Sequence, residues 1–138
     1  MTPLQLSQET RWIAGVVLLT IVTIEFGGWF LSRIVRGQVS MTPFQQAFAR
    51  AGHAHAGVLV TLGLVCLLFV DATGLSGVPV WIARLGVPAA AVLMSAGFFL
   101  SSLGQGTTRP NRLIALLWIG ALCLAAGVLS LGIGLLTS

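Results

Sequence analysis

The chain reads as four long apolar runs separated by short polar breaks. Trp12 to Ser32 is interrupted only by Glu25, while Ala51–Val70, Leu85–Thr108 and Leu113–Ser138 carry no Asp, Glu, Lys or Arg. Each run reaches the ~20 residues needed to cross a hydrocarbon core about 30 Å thick. Lipid offers no partners for open backbone N–H and C=O groups, so spans of this kind are expected to be helices rather than strands. The pattern predicts an all-α fold: a four-transmembrane-helix bundle with both termini on the same side. Residues 1–138 would form a single integral membrane domain.

The breaks set the expected helix limits. Met1–Thr10 reads as a short polar leader, which places the first helix at about 11–34. "RGQVSMTP" supplies Gly37, Ser40 and Pro43 as turn residues. Thr42 is a suitable cap before a first-turn proline, so the second helix is expected at about 44–70. "DATGLSGVP" and "GQGTTRPN" are the other turns, leaving helices at about 80–103 and 112–136. The first run exceeds a signal peptide's apolar region and no clear small-residue cleavage site follows, so it is read as a true span.

Composition agrees with this reading, with 57% hydrophobic and 7% charged residues. Soluble domains carry roughly 25% charged residues. The basic balance does not indicate nucleic acid, because all seven basic residues are arginines and nearly all sit at span ends. Arg33, Arg36, Arg50, Arg109 and Arg112 fall on the side of the first and third loops; Arg11 and Arg84 fall on the other. By the positive-inside rule this places those loops in the cytoplasm and both termini outside a plasma membrane. Cys66 and Cys123 lie deep in spans without CxxC spacing and read as small packing residues. Ala126, Ser130 and Gly134 form one small-residue ridge, and Gly57 and Thr61 another, of the kind that lets helices approach closely in lipid.

Three ionisable groups within the spans need a reason, since each costs a few kcal/mol there. They are Glu25, His53 and His55. Glu25 lies nine residues before Ile34, ~13 Å from the inner end of its helix at ~1.5 Å per residue. The two histidines lie at a comparable depth in the second helix, so Glu25 is expected to be able to accept a proton from one imidazole. Residues two apart on a helix point ~200° away from each other. His53 and His55 therefore serve two faces and cannot grip one ion together. His53 shares its face with Arg50, Ala56 and Gly57; His55 shares its face with Ala51, Gly52, Leu59 and Leu62. Either suits a haem ligand, with Arg50 near a propionate.

The segment Phe48, Ala49, Arg50, Ala51, a histidine and Gly57 resembles one at the start of the second span in the small four-helix membrane enzymes that include styrene-oxide isomerase and hydroxylaminobenzene mutase. "RPNR" and "GFFLSS" resemble their last turn and third span. The resemblance implies haem b on an axial histidine, with Arg50 and Gly57 beside it. The family's spacing counted back from Gly57 selects His55, whereas counted forward from Arg50 with one extra residue it selects His53. His55 is preferred because it also places Thr61 where the family has a polar Asn. It also implies a trimeric homo-oligomer and a small apolar substrate. Ferric haem there would act as a Lewis acid on an epoxide or aryl hydroxylamine. The chain departs from the family at its tyrosine, here Phe99, and at an aspartate of the third span, where Ala89–Met94 is wholly apolar. Thr61, Ser95 and Glu25 are the remaining polar candidates for catalysis. A haem-dependent isomerase is the leading expectation. A non-catalytic haem sensor or electron carrier and an accessory subunit without cofactor are the alternatives.

Overall fold

A computed structural model describes residues 5–138; Met1–Leu4, the start of the expected leader, lie outside the described residues. Four helices follow one another: α1 (Gln8–Val35), α2 (Pro43–Val70), α3 (Gly77–Ser101) and α4 (Ala115–Leu136), the last preceded by a short 3-10 turn, Arg112–Ile114. All four are long and apolar enough to cross a membrane. The protein is a multi-pass α-helical membrane protein.

Local chemistry sets the helix ends. Ser7 begins α1 three residues before the expected start, because its hydroxyl accepts the Thr10 N–H at 3.2 Å. This offsets one of the N–H groups that a helix start leaves without a partner. Thr42 caps α2 as its position before Pro43 implied, and Gln45 completes a capping box. At α3 the chain turns helical at Gly77, whose φ of +62° suits glycine. The Asn111 side chain accepts the Leu113 N–H at 2.8 Å and donates to the Leu100 carbonyl at 3.0 Å, joining the last turn to the end of α3.

The helices pack in chain order. α3 makes its widest contact with α4 and the next widest with α2; α1 rests mainly on α2, and it does not touch α4. Of the most apolar stretch of each helix, 33% is buried in α2 and in α3, but only 6% in α1 and 11% in α4. The two middle helices are therefore the core, and the outer two leave most of their surface to lipid.

Glycine sets the α3–α4 spacing. A Cβ on Gly86 would lie 2.6 Å from the Gly127 Cα, and one on Gly120 would lie 2.9 Å from the Met94 backbone nitrogen. Gly134, seven residues beyond Gly127, lies under Leu75. Gly120, Gly127 and Gly134 thus form the close-packing stripe, whereas Gly57 faces open space. Without a hydrophobic drive between helices in lipid, this close approach is a main source of attraction.

A polar clasp holds α1 at one end of the bundle. Asp71, just past α2, accepts the Ser7 N–H at 2.8 Å and the Ser7 and Thr10 hydroxyls, each at 3.1 Å. Arg84 of α3 donates to the same carboxylate at 2.9 Å and to the Ser7 hydroxyl at 3.1 Å. Burial pushes the Asp71 carboxyl upward, but the Arg84 guanidinium and the Ser7 and Thr10 donors outweigh it. The carboxyl is held below its ordinary value. A negative charge is also favourable at the N-terminus of α1. The clasp unites three helices whose residues are far apart in the chain.

Candidate functional site

α2 carries the two histidines on opposite flanks. His53 turns toward α1, where its ring lies against two glycines: a Cβ on Gly27 would sit 3.2 Å from His53 Nδ1, and one on Gly28 would sit 3.4 Å from Cε1. A Cβ at Gly27 would crowd the ring by a few tenths of an ångström, and a larger side chain would have to displace it. Glu25 precedes this notch by two residues, which on a helix turns it ~200° away from Gly27. It is exposed on the outer surface of α1. Among the described residues the one salt bridge is Arg84–Asp71, so Glu25 pairs with neither imidazole. The expected Glu25–histidine contact does not form, although the depths correspond.

His55 turns toward α3. Its Nδ1 lies 2.8 Å from the Ala51 carbonyl oxygen, and its ring packs on Phe98 with centroids 4.9 Å apart. A carbonyl can only accept, so Nδ1 must carry the proton. In the neutral ring Nε2 is then left with its lone pair available. Gly52 makes this crossing of α2 and α3 possible, because a Cβ there would meet the Phe99 ring at 3.0 Å.

The other sequence candidates separate. Arg50 and Thr61 are exposed and Gly57 half-buried on the open face of α2. The Thr61 hydroxyl donates to the Gly57 carbonyl at 2.9 Å, an ordinary bond back to its own helix. Ser95 is buried in α3, on the other side of α2 from this face. The structure thus keeps Arg50, Gly57 and Thr61 along one face of α2, with His53 ~60° from Arg50 on the α1 side and His55 ~140° from it on the α3 side. Glu25 on α1 and Ser95 on α3 lie apart from that face.

A cavity of about 690 Å³ lies between α1, α2 and α3. Val17, Thr20 and Ile24 line it from α1, Ala56 and Val60 from α2, and Pro88, Val92 and Ser95 are among its α3 residues. His53, one turn before Ala56 on the same face, is not among the residues that line it. The volume falls within the roughly 300–1,000 Å³ usual for small-molecule sites. Sequence reading missed this cavity because its walls come from three helices and no charged residue marks it.

Compared with protein-family models, curated proteins and solved structures, the chain matches none.

Proposed function

We propose that this chain is a haem b-binding protein of the plasma membrane, with both termini outside, in which His55 is the axial ligand. The observation that carries the reading is the hydrogen bond from His55 Nδ1–H to the Ala51 carbonyl. It orients the ring and leaves Nε2 free, the arrangement that metal-ligating histidines use. The Phe98 ring restricts the imidazole from one side, and the exposed Ala54 and Val58 leave room beside it for a planar group. Arg50, on the arginine-rich end of α2, supplies a cation for a propionate. The predominance of arginine at that end supports the proposed orientation.

Bound ferric haem would supply a Lewis-acidic iron able to polarise an oxygen of a small apolar epoxide or aryl hydroxylamine, rearranging it without net redox. The protein would contribute the axial imidazole and an apolar surround. The exposed α2 face is suited to completion by a further copy of the chain, in keeping with a homo-oligomer, a trimer by resemblance. Phe99, which has no hydroxyl where the resembling isomerases have tyrosine, favours as a second reading a haem protein without isomerase activity.

The test is the absorption spectrum of detergent-purified protein with added haem. A Soret band should form with the unsubstituted protein and with His53→Ala, and be lost with His55→Ala. No band in the unsubstituted protein refutes the reading; incubation of the haem-loaded protein with aryl epoxides, followed by aldehyde detection, separates isomerase from non-catalytic carrier.

A further inference from the structure

The two ends of the bundle differ in electrical balance. At the end formed by the start of α1 and the turn between α2 and α3, Arg84 is paired with Asp71 at 2.9 Å and Arg11 has Glu9 two residues away. The opposite end carries Arg33, Arg36, Arg50, Arg109 and Arg112 and no acid, because the third acidic residue of the chain, Glu25, lies within the α1 span. Glu25 is eight residues from Arg33, ~12 Å by helical rise. It forms no salt bridge among the described residues.

At this end α1 presents one continuous column to lipid. Phe26, Trp29, Arg33 and Arg36 follow at spacings of three, four and three residues, which puts them on one face. Phe26 and Trp29 are 66% and 52% exposed, with ring centroids 5.2 Å apart. The Arg33 guanidinium lies 5.2 Å from the Trp29 centroid, and the ring face holds that cation in place. Neither arginine is drawn back to finish the helix. The Gln38 N–H already meets the Arg33 carbonyl, and the Gly37 N–H the Ile34 carbonyl, both at 3.0 Å. Among the described residues the arginine side-chain hydrogen bonds are those of Arg84, so the donors of Arg33 and Arg36 remain free.

We propose that this column is a binding site for an anionic phospholipid, with the phosphate on Arg33 and Arg36 and an acyl chain along Trp29 and Phe26. Guanidinium donors match phosphate oxygens in charge and geometry. An exposed indole belongs at the level where headgroup meets chain. One lipid molecule supplies the anion and the apolar tail in the order the column presents them. An acidic soluble partner would meet the arginines and leave the rings beneath uncovered. The balanced end of the bundle has no net charge to select an anion. The site includes neither Arg50 nor a histidine and does not depend on haem.

Trp29 itself reports the test, because brominated acyl chains quench an indole they touch. Trp12, Trp81 and Trp118 are all exposed, so replacing them with Phe leaves Trp29 as the sole indole in a folded bundle. In phosphatidylcholine vesicles, brominated phosphatidylglycerol should quench Trp29 saturably and more strongly than brominated phosphatidylcholine at the same fraction. Trp12, kept alone in a companion variant, should be quenched equally by both lipids. Arg33→Gln and Arg36→Gln should each lower the preference at Trp29 about fivefold, the equivalent of ~1 kcal/mol per arginine near an anionic surface. Arg33→Lys, which keeps the charge, should retain most of it. If a variant proves unfolded, salt decides with the arginines intact: about 1 M salt, which screens charges beyond ~3 Å, should reduce the preference. Equal quenching of Trp29 by the two lipids, the same preference at Trp12, or a preference unchanged in the folded Arg33→Gln, Arg36→Gln double variant would overturn it. So would an acidic peptide that binds while no lipid preference is seen, which assigns the arginines to a soluble partner.

Discussion

The clasp around Asp71 is expected to determine how firmly α1 is held. That helix buries only 6% of its apolar window, so its own packing against α2 is sparse. Asp71→Asn removes the charge facing Arg84 and replaces one carboxylate oxygen with an N–H₂ group. If the amide nitrogen faces the Ser7 N–H, donor meets donor; if it faces Arg84, the guanidinium loses its acceptor. Removing one partner of a fully buried ion pair costs ~3–5 kcal/mol. Here the two side chains remain 10% and 11% exposed at the end of the bundle. Some water relief is expected, so we place the loss at about 2–3 kcal/mol.

The assay is thermal unfolding in mild detergent, followed with a thiol-reactive dye that fluoresces on labelling Cys66, which is 6% exposed among Val70, Ala83, Val87 and Leu131. Asp71→Asn should lower the midpoint clearly, Asp71→Ala further, and Thr10→Val by the smaller amount expected for one hydroxyl, ~1 kcal/mol. The pH dependence has a definite sign. The folded Asp71 carboxyl lies below its ordinary value of 3.8, so the unfolded form takes up the proton first as pH falls. The clasp's contribution is therefore complete above that value and is lost as pH drops through the depressed folded value. The clasp's share of the midpoint should be constant above about pH 5, decline below about pH 4 and be absent from Asp71→Asn. If Asp71→Asn melts with the unsubstituted protein across this range, the clasp does not hold α1 and the reasoning fails.

Other expectations follow from single contacts. Gly127→Leu should destabilise the bundle by about 2 kcal/mol or more, by forcing α4 off Gly86; dye labelling of Cys66 at lower temperature is the check. Gly27→Leu should push the His53 ring from its notch while leaving any haem band intact, which spectra of the two preparations would compare. Gly52→Ala should displace Phe98 and Phe99 and so weaken haem retention at His55 several-fold, measured as haem loss to a scavenging apoprotein.

Much of the fold was legible because its signals are local. Charge-free runs of sufficient length identify the helices without any knowledge of their neighbours, and Thr42 before Pro43 with Gln45 behind marks the start of α2. The start of α1 was misjudged by three residues because Ser7 looked like leader, and its capping role is supported by Asp71, 64 positions away. The seven-residue spacing of Gly120, Gly127 and Gly134 was present in the chain as well. Its meaning depended on Gly86 and Met94 standing opposite, which no local pattern reveals.

The candidate site divides in the same way. The sequence alone determined that His53 and His55 serve different flanks of α2, since the turn of a helix is set by its own backbone hydrogen bonds. It also determined that Glu25 shares their depth. Only the tertiary structure decided that His53 enters the Gly27–Gly28 notch, that His55 meets Phe98, that Glu25 faces outward, and that Ser95 is buried beside a cavity. Those outcomes depend on how α1, α2 and α3 rotate against one another. That rotation is governed by steric fit between small and large residues on separate helices, and by a clasp whose four members no single stretch of chain contains.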